Sequence, residues 1–354
     1  MEMIVFKQGN LLEDDAEALV NTVNCVGVMG KGIALQFKQA YPDMFCEYEK
    51  AYRRGELQPG KMHVFKRDSF FPPKYIINFP TKRHWKQKSR IEDIELGLVD
   101  LVNVIKKLGI RSIAIPPLGC GNGGLQWEEV RRKIEETFES LPNIEVHLYE
   151  PAESPVPDQV MIRTNPPKMT RARALLLLVM NDYSIPGYKL SLLEVQKLAY
   201  FLQVVGEPLK LRFEKSKYGP YAENLNHVFI RLDGHFIRGF GDRSRKAEIY
   251  VMPNAVQQAE QYLQGDAEAY DRLRKVRDII QGFETPYGLE LLSTVHWVIE
   301  ENGNINDIHQ IVEAIHQWNE RKRKIFQKEH IQKAWEHLQA VGIVGKGNDK
   351  GARY

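Results

Sequence analysis

Two glycine-rich turns and one basic run hold the residues of this chain that could do chemistry. In "VNCVGVMGKGIALQFK" (23–38), Gly27, Gly30 and Gly32 stand between an apolar β-type run and a helical one. Glycines there let main-chain amides approach an anion, and the following helix adds its N-terminal donors, which makes a phosphate cradle. "PPLGCGNGGLQW" (116–127) repeats the arrangement with Gly119, Gly121, Gly123 and Gly124. Two such turns in one α/β region point to a diphosphate ligand. Neither matches GxxxxGK[ST], so triphosphate hydrolysis loses support.

The basic run is "PTKRHWKQKSR" (80–90), which sets Lys82, Arg83, Lys86, Lys88 and Arg90 around His84 and Trp85. The residues admit three readings: a solvated loop, a nucleic-acid contact, or a lysine that does chemistry beside groups that hold its substrate. Crowding by Arg83, Lys86 and Lys88 is expected to lower the pKa of Lys82, since like charges disfavour the ammonium. A neutral amine can act as a nucleophile, and a charged one can stabilise a departing group. The sequence leaves both open. Phosphate contacts from the cations and base stacking on Trp85 or His84 would suit single-stranded nucleic acid.

The elements that must position these residues alternate in type over the first 150 positions. Short β-type runs fall at 3–8, 18–24, 62–66, 75–80, 110–118 and 144–150. Ile91, Ile94, Leu98, Leu101, Val102 and Ile105 make one helical stripe, and Trp127, Val130, Ile134 and Phe138 another. The strands are mostly apolar rather than alternating, as in a sheet covered on both faces. The expected fold is an α/β domain over 1–150, a mixed sheet with helices on both sides. Proline-rich 151–168 reads as a linker. Residues 169–354 read as mainly helical, with helices over 170–182, 190–205, 254–264, 266–282, 287–301, 305–317 and 320–341, and β-like stretches near 209–214 and 248–252.

Bulk properties narrow the function classes. A chain of 354 residues suits two domains, and 43% apolar residues suffice for both cores. Residues 1–150 hold 21 Lys/Arg against 21 Asp/Glu, so a nucleic-acid contact must come from a local patch such as 82–90. Cys25, Cys46 and Cys120 cannot form a paired disulfide framework, and no Cys/His spacing matches a zinc site, so no metal is expected. With no signal peptide and no spanning apolar run, the expectation is a cytoplasmic protein away from membranes.

"QGNLL", "ALVNTVNCVGVMGKGIALQFK" and "IPPLGCGNGGLQW" resemble the ADP-ribose-binding macrodomain over residues 1–150. Within that family, "GCGNGGLQW" and "PTKRHW" are most similar to two branches. One is the terminal ADP-ribose glycohydrolase of animals. The other is the DarG type, bacterial antitoxins that remove ADP-ribose from thymidine in DNA, and the two-part layout of the whole chain resembles these.

The resemblance implies roles position by position. Gly9, Asn10 and Leu11 match the turn beside the adenine, where the family usually carries Asp in place of Asn10. Asn24 matches the asparagine on the distal ribose. Gly30, Lys31, Gly32 and Ile33 match the first phosphate loop; Gly119, Cys120, Gly121, Asn122, Gly123 and Gly124 match the second. Lys82 aligns with the lysine both branches use catalytically, on the anomeric carbon or on the departing base. Arg83, His84, Trp85, Lys86 and Lys88 would then contact DNA. The animal branch pairs its lysine with a second-loop Asp; that position is Gly123 here, so the pairing does not carry over. Cys120 reads as a small packed residue rather than a nucleophile.

The resemblance further implies no cofactor, with ADP-ribose as ligand and product. It implies that 169–354 binds a partner toxin, the DNA ADP-ribosyltransferase DarT. "VQKLAYF" and "YGPY" in that half faintly resemble a domain of other bacterial antitoxins, and no acidic cluster suited to DNA mimicry stands out there. Two other functions fit the same motifs: a module that binds ADP-ribose without cleaving it, and a glycohydrolase acting on modified protein.

Overall fold

The computed structural model describes residues 4–151, 161–185, 187–241, 246–303 and 305–345. It divides into two compact units, the first closing at Asn165 and the second opening at Pro166. Of the expected linker, 152–160 lie outside the described residues, as does most of the C-terminal tail. Met161 packs against the core of the first unit, and Arg163 N donates to Gln39 O at 2.9 Å.

The first unit is built on β1 (Ile4–Lys7), β2 (Ala18–Asn24), α1 (Gly32–Ala40), α2 (Pro42–Arg53), β3 (His63–Lys66), β4 (Tyr75–Lys82), α3 (Ile91–Leu108), β5 (Ser112–Ile115), α4 (Trp127–Phe138) and β6 (Glu145–Tyr149). The six strands lie in the order β1-β6-β5-β2-β4-β3. All neighbours are parallel except β3, which runs antiparallel to β4 at the edge. Successive strand residues point to opposite faces, so β2 feeds two cores. Ala18 and Val20 join Ile94, Leu98, Leu101, Val130, Ile134 and Phe138 on one face. Leu19 and Val23 join Phe37, Met44, Tyr48 and Ala51 on the other. This is the mixed sheet with helices on both faces that the apolar strands imply.

Helix α2 was not anticipated. Its apolar residues are sparse, but Met44, Tyr48 and Ala51 fall at i, i+4 and i+7 and are all buried. Pro42 opens it, where a missing N–H costs nothing. Pro80 has the opposite effect in the centre of the sheet. It cannot donate to the ladder, and the β2–β4 register slips there by one residue, from Val23↔Pro80 to Asn24↔Lys82.

The second unit comprises α5 (Arg171–Tyr183), α6 (Leu192–Val204), β7 (Glu214–Ser216), β8 (Gly219–Tyr221), α7 (Glu223–Leu232), β9 (Ile237–Arg238), β10 (Tyr250–Val251), α8 (Pro253–Tyr262), α9 (Ala267–Ile280), α10 (Pro286–Glu301), α11 (Ile308–Trp318), α12 (Glu320–Ile325) and α13 (Lys328–Ala340). The helix expected over 320–341 is two, broken at Phe326, which is fully buried. The stretch near 209–214 is strand only from Glu214, where it starts a hairpin.

The two short motifs of this half meet. In "VQKLAYF", Gln196 exchanges two hydrogen bonds with the main chain of Ala222, at 3.0 and 2.9 Å. Lys197 Nζ donates to Pro220 O of "YGPY" at 2.6 Å. Burial, and then the charge of Lys322, pull the Lys197 pKa down to about 7. Nearby, Glu290 accepts from Arg321 at 2.6 and 3.0 Å and from Lys322 at 2.9 Å, so its buried charge is fully paired. Among the described residues no helix is long and apolar enough to cross a membrane.

One helix glycine is required by packing. A Cβ on Gly97 of α3 would lie 2.2 Å from the buried ring of Phe79, three residues before Lys82. Alanine favours a helix by about 1 kcal/mol over glycine, but overpacking costs about 1–3 kcal/mol. Gly97→Ala should therefore lower the unfolding midpoint of the first unit in urea. A raised midpoint would mean that the Phe79 ring moves aside freely.

Candidate active site

The expected site residues converge at the C-terminal ends of the parallel strands, the usual location of ligands in such sheets. Gly9 to Leu11 follow β1, Asn24 ends β2, Lys82 ends β4, and Gly119 to Gly124 lie in the connection after β5. The shifted register puts Asn24 and Lys82 side by side, with Cys25 N donating to Lys82 O at 3.0 Å.

Asn24 organises the first loop. Its Oδ1 accepts from Val26 N at 3.0 Å, its Nδ2 donates to Val28 O at 2.5 Å, and Tyr48 OH donates to its carbonyl at 2.5 Å. The side chain expected on a ribose thus already folds residues 24–28 into a turn. Gly27 takes a left-handed φ of +73°, and a Cβ there would lie 2.7 Å from the Tyr52 ring. Beyond it, α1 begins without a side-chain cap and without an acid in its first turn. Among the described residues, the amides of Gly32, Ile33 and Ala34 have no acceptor. Lys31 stands at the N-cap, so the helix end is a donor-rich, positive site open to an anion.

In the second loop most carbonyls are taken, while three successive amides are not. Pro117 O receives Cys120 N, Gly119 O receives Leu125 N, Gly121 O receives Gly124 N, and Gly123 O receives Ser89 N. Asn122 O receives Lys82 Nζ at 2.5 Å. Among the described residues, the amides of Gly121, Asn122 and Gly123 have no acceptor. Three successive unpaired donors form an anion-binding concavity. The two loops are neighbours: a Cβ on Gly32 would lie 3.1 Å from Asn122 Nδ2.

The Lys82 pKa is lowered, as its place in the basic run suggested, but by other groups. Half-burial of the amine is the larger cause and the charge of Lys31 the smaller. Arg83, Lys86 and Lys88 do not contribute. Arg83 turns back onto the buried carboxylate of Asp93, with Nε at 3.1 Å and Nη2 at 3.0 Å. Lys86 Nζ lies 5.0 Å over the ring of Trp85. Trp85 is half exposed and stacks on His84, with ring centroids 5.5 Å apart. Lys88 is exposed beside the second loop, where a Cβ on Gly124 would lie 3.9 Å from its Cδ.

Burial pushes the thiols of Cys25 and Cys120 up to about 11, so neither is a thiolate near neutrality. Cys120 Sγ lies 3.6 Å from Leu118 O and acts as a packed residue. At the β1 end, Gly9 adopts φ +105°. Asn10 caps the short 3₁₀ turn Leu11–Glu13, accepting from Leu12 N at 3.2 Å and donating to Glu13 Oε1 at 2.9 Å. The Leu11 side chain is buried.

Several residues that shape the site carried no sequence signal. Ser89 and Asp93 lie in or beside the basic run, and their roles depend on partners that only folding brings near. Asp14, Asp15 and His147 come close enough to chelate a metal, but Asp14 is already engaged. It accepts from Lys7, His147, Tyr149 and Ala16 N at 2.7–3.0 Å. Burial alone would raise its carboxyl; the hydrogen bonds from His147 and Lys7 hold it below the usual range.

Comparison with known proteins places this geometry. The Macro domain family model matches residues 20–134. A DNA ADP-ribosyl glycohydrolase of Thermus aquaticus is 49% identical over 342 residues, covering 97% of this chain and 94% of the relative. A DNA ADP-ribosyl glycohydrolase of Mycobacterium tuberculosis is 41% identical, covering 93% of this chain and 97% of the relative. A DNA ADP-ribosyl transferase–DNA ADP-ribosyl glycohydrolase fusion protein of Thermosipho africanus is 37% identical over 166 residues, covering 43% of this chain and 42% of the fusion.

The glycines of the two loops should separate by cause. A Cβ on Gly121 meets no atom within 4 Å, and one on Gly30 meets only Val28 Cγ1 at 3.7 Å. Gly121→Leu and Gly30→Leu should therefore fold normally and lose free ADP-ribose binding by calorimetry. Gly27→Ala, which meets Tyr52 and a left-handed φ, should instead lower the melting temperature. Unchanged affinity in both leucine variants would place the ligand elsewhere.

Proposed function

The chain belongs to the DNA ADP-ribosyl glycohydrolase family, and from that premise we propose that it releases ADP-ribose from thymidine in single-stranded DNA. The observation that carries the reading is Lys82 Nζ seated on Asn122 O, at the rim of the three unpaired amides of the second loop. Those amides and the open start of α1 suit the two phosphates. Asn24 and Lys82, side by side beyond them, suit the distal ribose and its bond to the base.

The lowered pKa of Lys82 enlarges its neutral fraction, which favours nucleophilic attack. Nζ would bond to the anomeric carbon of the ribose as the bond to the thymine nitrogen breaks. The electron pair leaves with the base, which takes up a proton, and water then frees the lysine. Phosphates of the DNA strand would lie along Lys86, Lys88 and the exposed side of Arg83, with Trp85 and His84 offering a stacking face. DNA, rather than protein, is favoured by that exposed aromatic among cations.

The second unit is assigned to a partner, the DNA ADP-ribosyltransferase toxin DarT. A relative that joins a transferase and a glycohydrolase in one chain supports this pairing of activities. In this reading the chain neutralises the toxin by contact and repairs its product. Its role is that of an antitoxin acting in the cytoplasm, with no cofactor.

Full-length protein incubated with ADP-ribosylated single-stranded DNA and with ADP-ribosyl-glutamate protein decides between substrates. Release from DNA is expected. Release from protein alone sinks the DNA assignment, and release from neither leaves a binding module. Lys82→Ala should cut the rate by about 100-fold or more, the scale of a positioned catalytic group. Its ADP-ribose affinity and its toxin inhibition should persist. With the neutral amine as nucleophile, the wild-type rate should rise with pH, with a midpoint below the ordinary lysine value of 10.5.

A further inference from the structure

The second loop is held from behind by the segment that carries the lysine. Two adjacent carbonyls face that segment: Asn122 O receives Lys82 Nζ at 2.5 Å and Gly123 O receives Ser89 N at 3.0 Å. The Ser89 side chain is buried between two loop glycines. A Cβ on Gly123 would lie 2.3 Å from Ser89 Oγ and 2.1 Å from Gly119 O; one on Gly119 would lie 3.0 Å from Ser89 Cβ. The hydroxyl itself has no hydrogen-bond partner among the described residues. What Ser89 supplies is a main-chain donor and a side chain small enough to leave Gly123 in place.

The consequence reaches both ligand-facing parts of the loop. Within a planar trans peptide, N–H and C=O point in opposite directions. Holding Asn122 O on the lysine side therefore turns Gly123 N–H to the other side. The bond at Ser89 anchors the next peptide, so Asn122 O cannot swing away from Lys82. The far end of the segment is fixed independently, by Arg83 on Asp93.

We propose that Ser89 is a positioning residue for this reaction: its N–H and its small side chain fix the second loop so that the Asn122 carbonyl orients the Lys82 amine. The proposal rests on the reading of Lys82 as catalytic and adds the device that aims it. Ser89 touches no reacting atom and acts through Gly123 and Asn122.

Single-turnover release of ADP-ribose from modified single-stranded DNA, followed across pH with the full chain, tests this. Ser89→Pro lacks the donor and Ser89→Val overfills the space. Each should slow release by roughly 10- to 100-fold, the scale of a misplacement of about 1 Å. Losing the carbonyl that stabilises the ammonium should also move the lysine-dependent limb to lower pH, with the charge of Lys31 still acting on it. Ser89→Ala keeps both the N–H and the small volume, so its rate and pH profile should match the wild type. Thermal melts identify a variant that fails to fold; if Ser89→Pro does not fold, Ser89→Val and Ser89→Thr decide. Wild-type rate and profile in the folded bulky variants overturn the proposal, as does an alanine variant as slow as they are. An active Lys82→Ala would instead sink the lysine reading itself.

Discussion

Among the described residues, three consecutive main-chain amides without an acceptor are the constraint around which the first unit's site is organised. Gly121 and Asn122 are exposed, so water can serve their amides, whereas Gly123 is buried and its N–H is costly to leave unpaired. The neighbouring carbonyls of Gly119, Gly121, Asn122 and Gly123 are each tied to another donor. Two of those ties come from the β4–α3 connection, through Lys82 and Ser89. Lys82 ends β4 beside Asn24 of β2, where the register slips by one residue at Pro80. The slip is tolerated because the sheet is buried on both faces, where side-chain packing rather than the ladder alone holds the strands.

The electrostatics of the lysine follow the same three-dimensional logic. A run of five cations within nine residues suggests mutual repulsion, yet the sequence neighbours of Lys82 are not its electrostatic neighbours. Residues just past a strand leave in different directions. Arg83 is drawn back to the buried carboxylate of Asp93, which offsets its charge. Lys86 lies over Trp85 in the exposed part of the loop. The cation whose charge acts on Lys82 is Lys31, fifty-one positions earlier. Burial adds the larger part, because an amine half removed from water is less readily protonated.

Much of the first unit was legible in sequence because its signals are local. Apolar strands, helix stripes and glycine turns carry their own periodicity, and the six strands fall where those runs lie. The pairing of Asn24 with Lys82 could not be read, since it depends on a one-residue slip between strands. Nor could Ser89, whose type is ordinary and whose partners are two glycines some thirty positions on. Helix α2 hid for a different reason: a polar composition masks a three-residue buried stripe. In the second unit the helices were visible, but the break at Phe326 was not. A buried aromatic at a helix junction looks in sequence like one more apolar position on a continuous stripe.

The second loop shows how four identical letters can answer to different demands. Gly121 borders open space, so a side chain there would compete with a ligand. Gly119 and Gly124 adopt left-handed backbone that other residues resist. Gly123 has neither property; its missing side chain is replaced by protein, with Ser89 Oγ and Gly119 O filling the volume. A side chain at that position is sterically barred by the main chain of Gly119 as well as by Ser89 Oγ. A main-chain oxygen, that of Asn122, meets the lysine there. A carbonyl cannot take up a proton near neutrality as a carboxylate can. Lys82, seated on that carbonyl, is biased toward the neutral form by its burial and by the charge of Lys31.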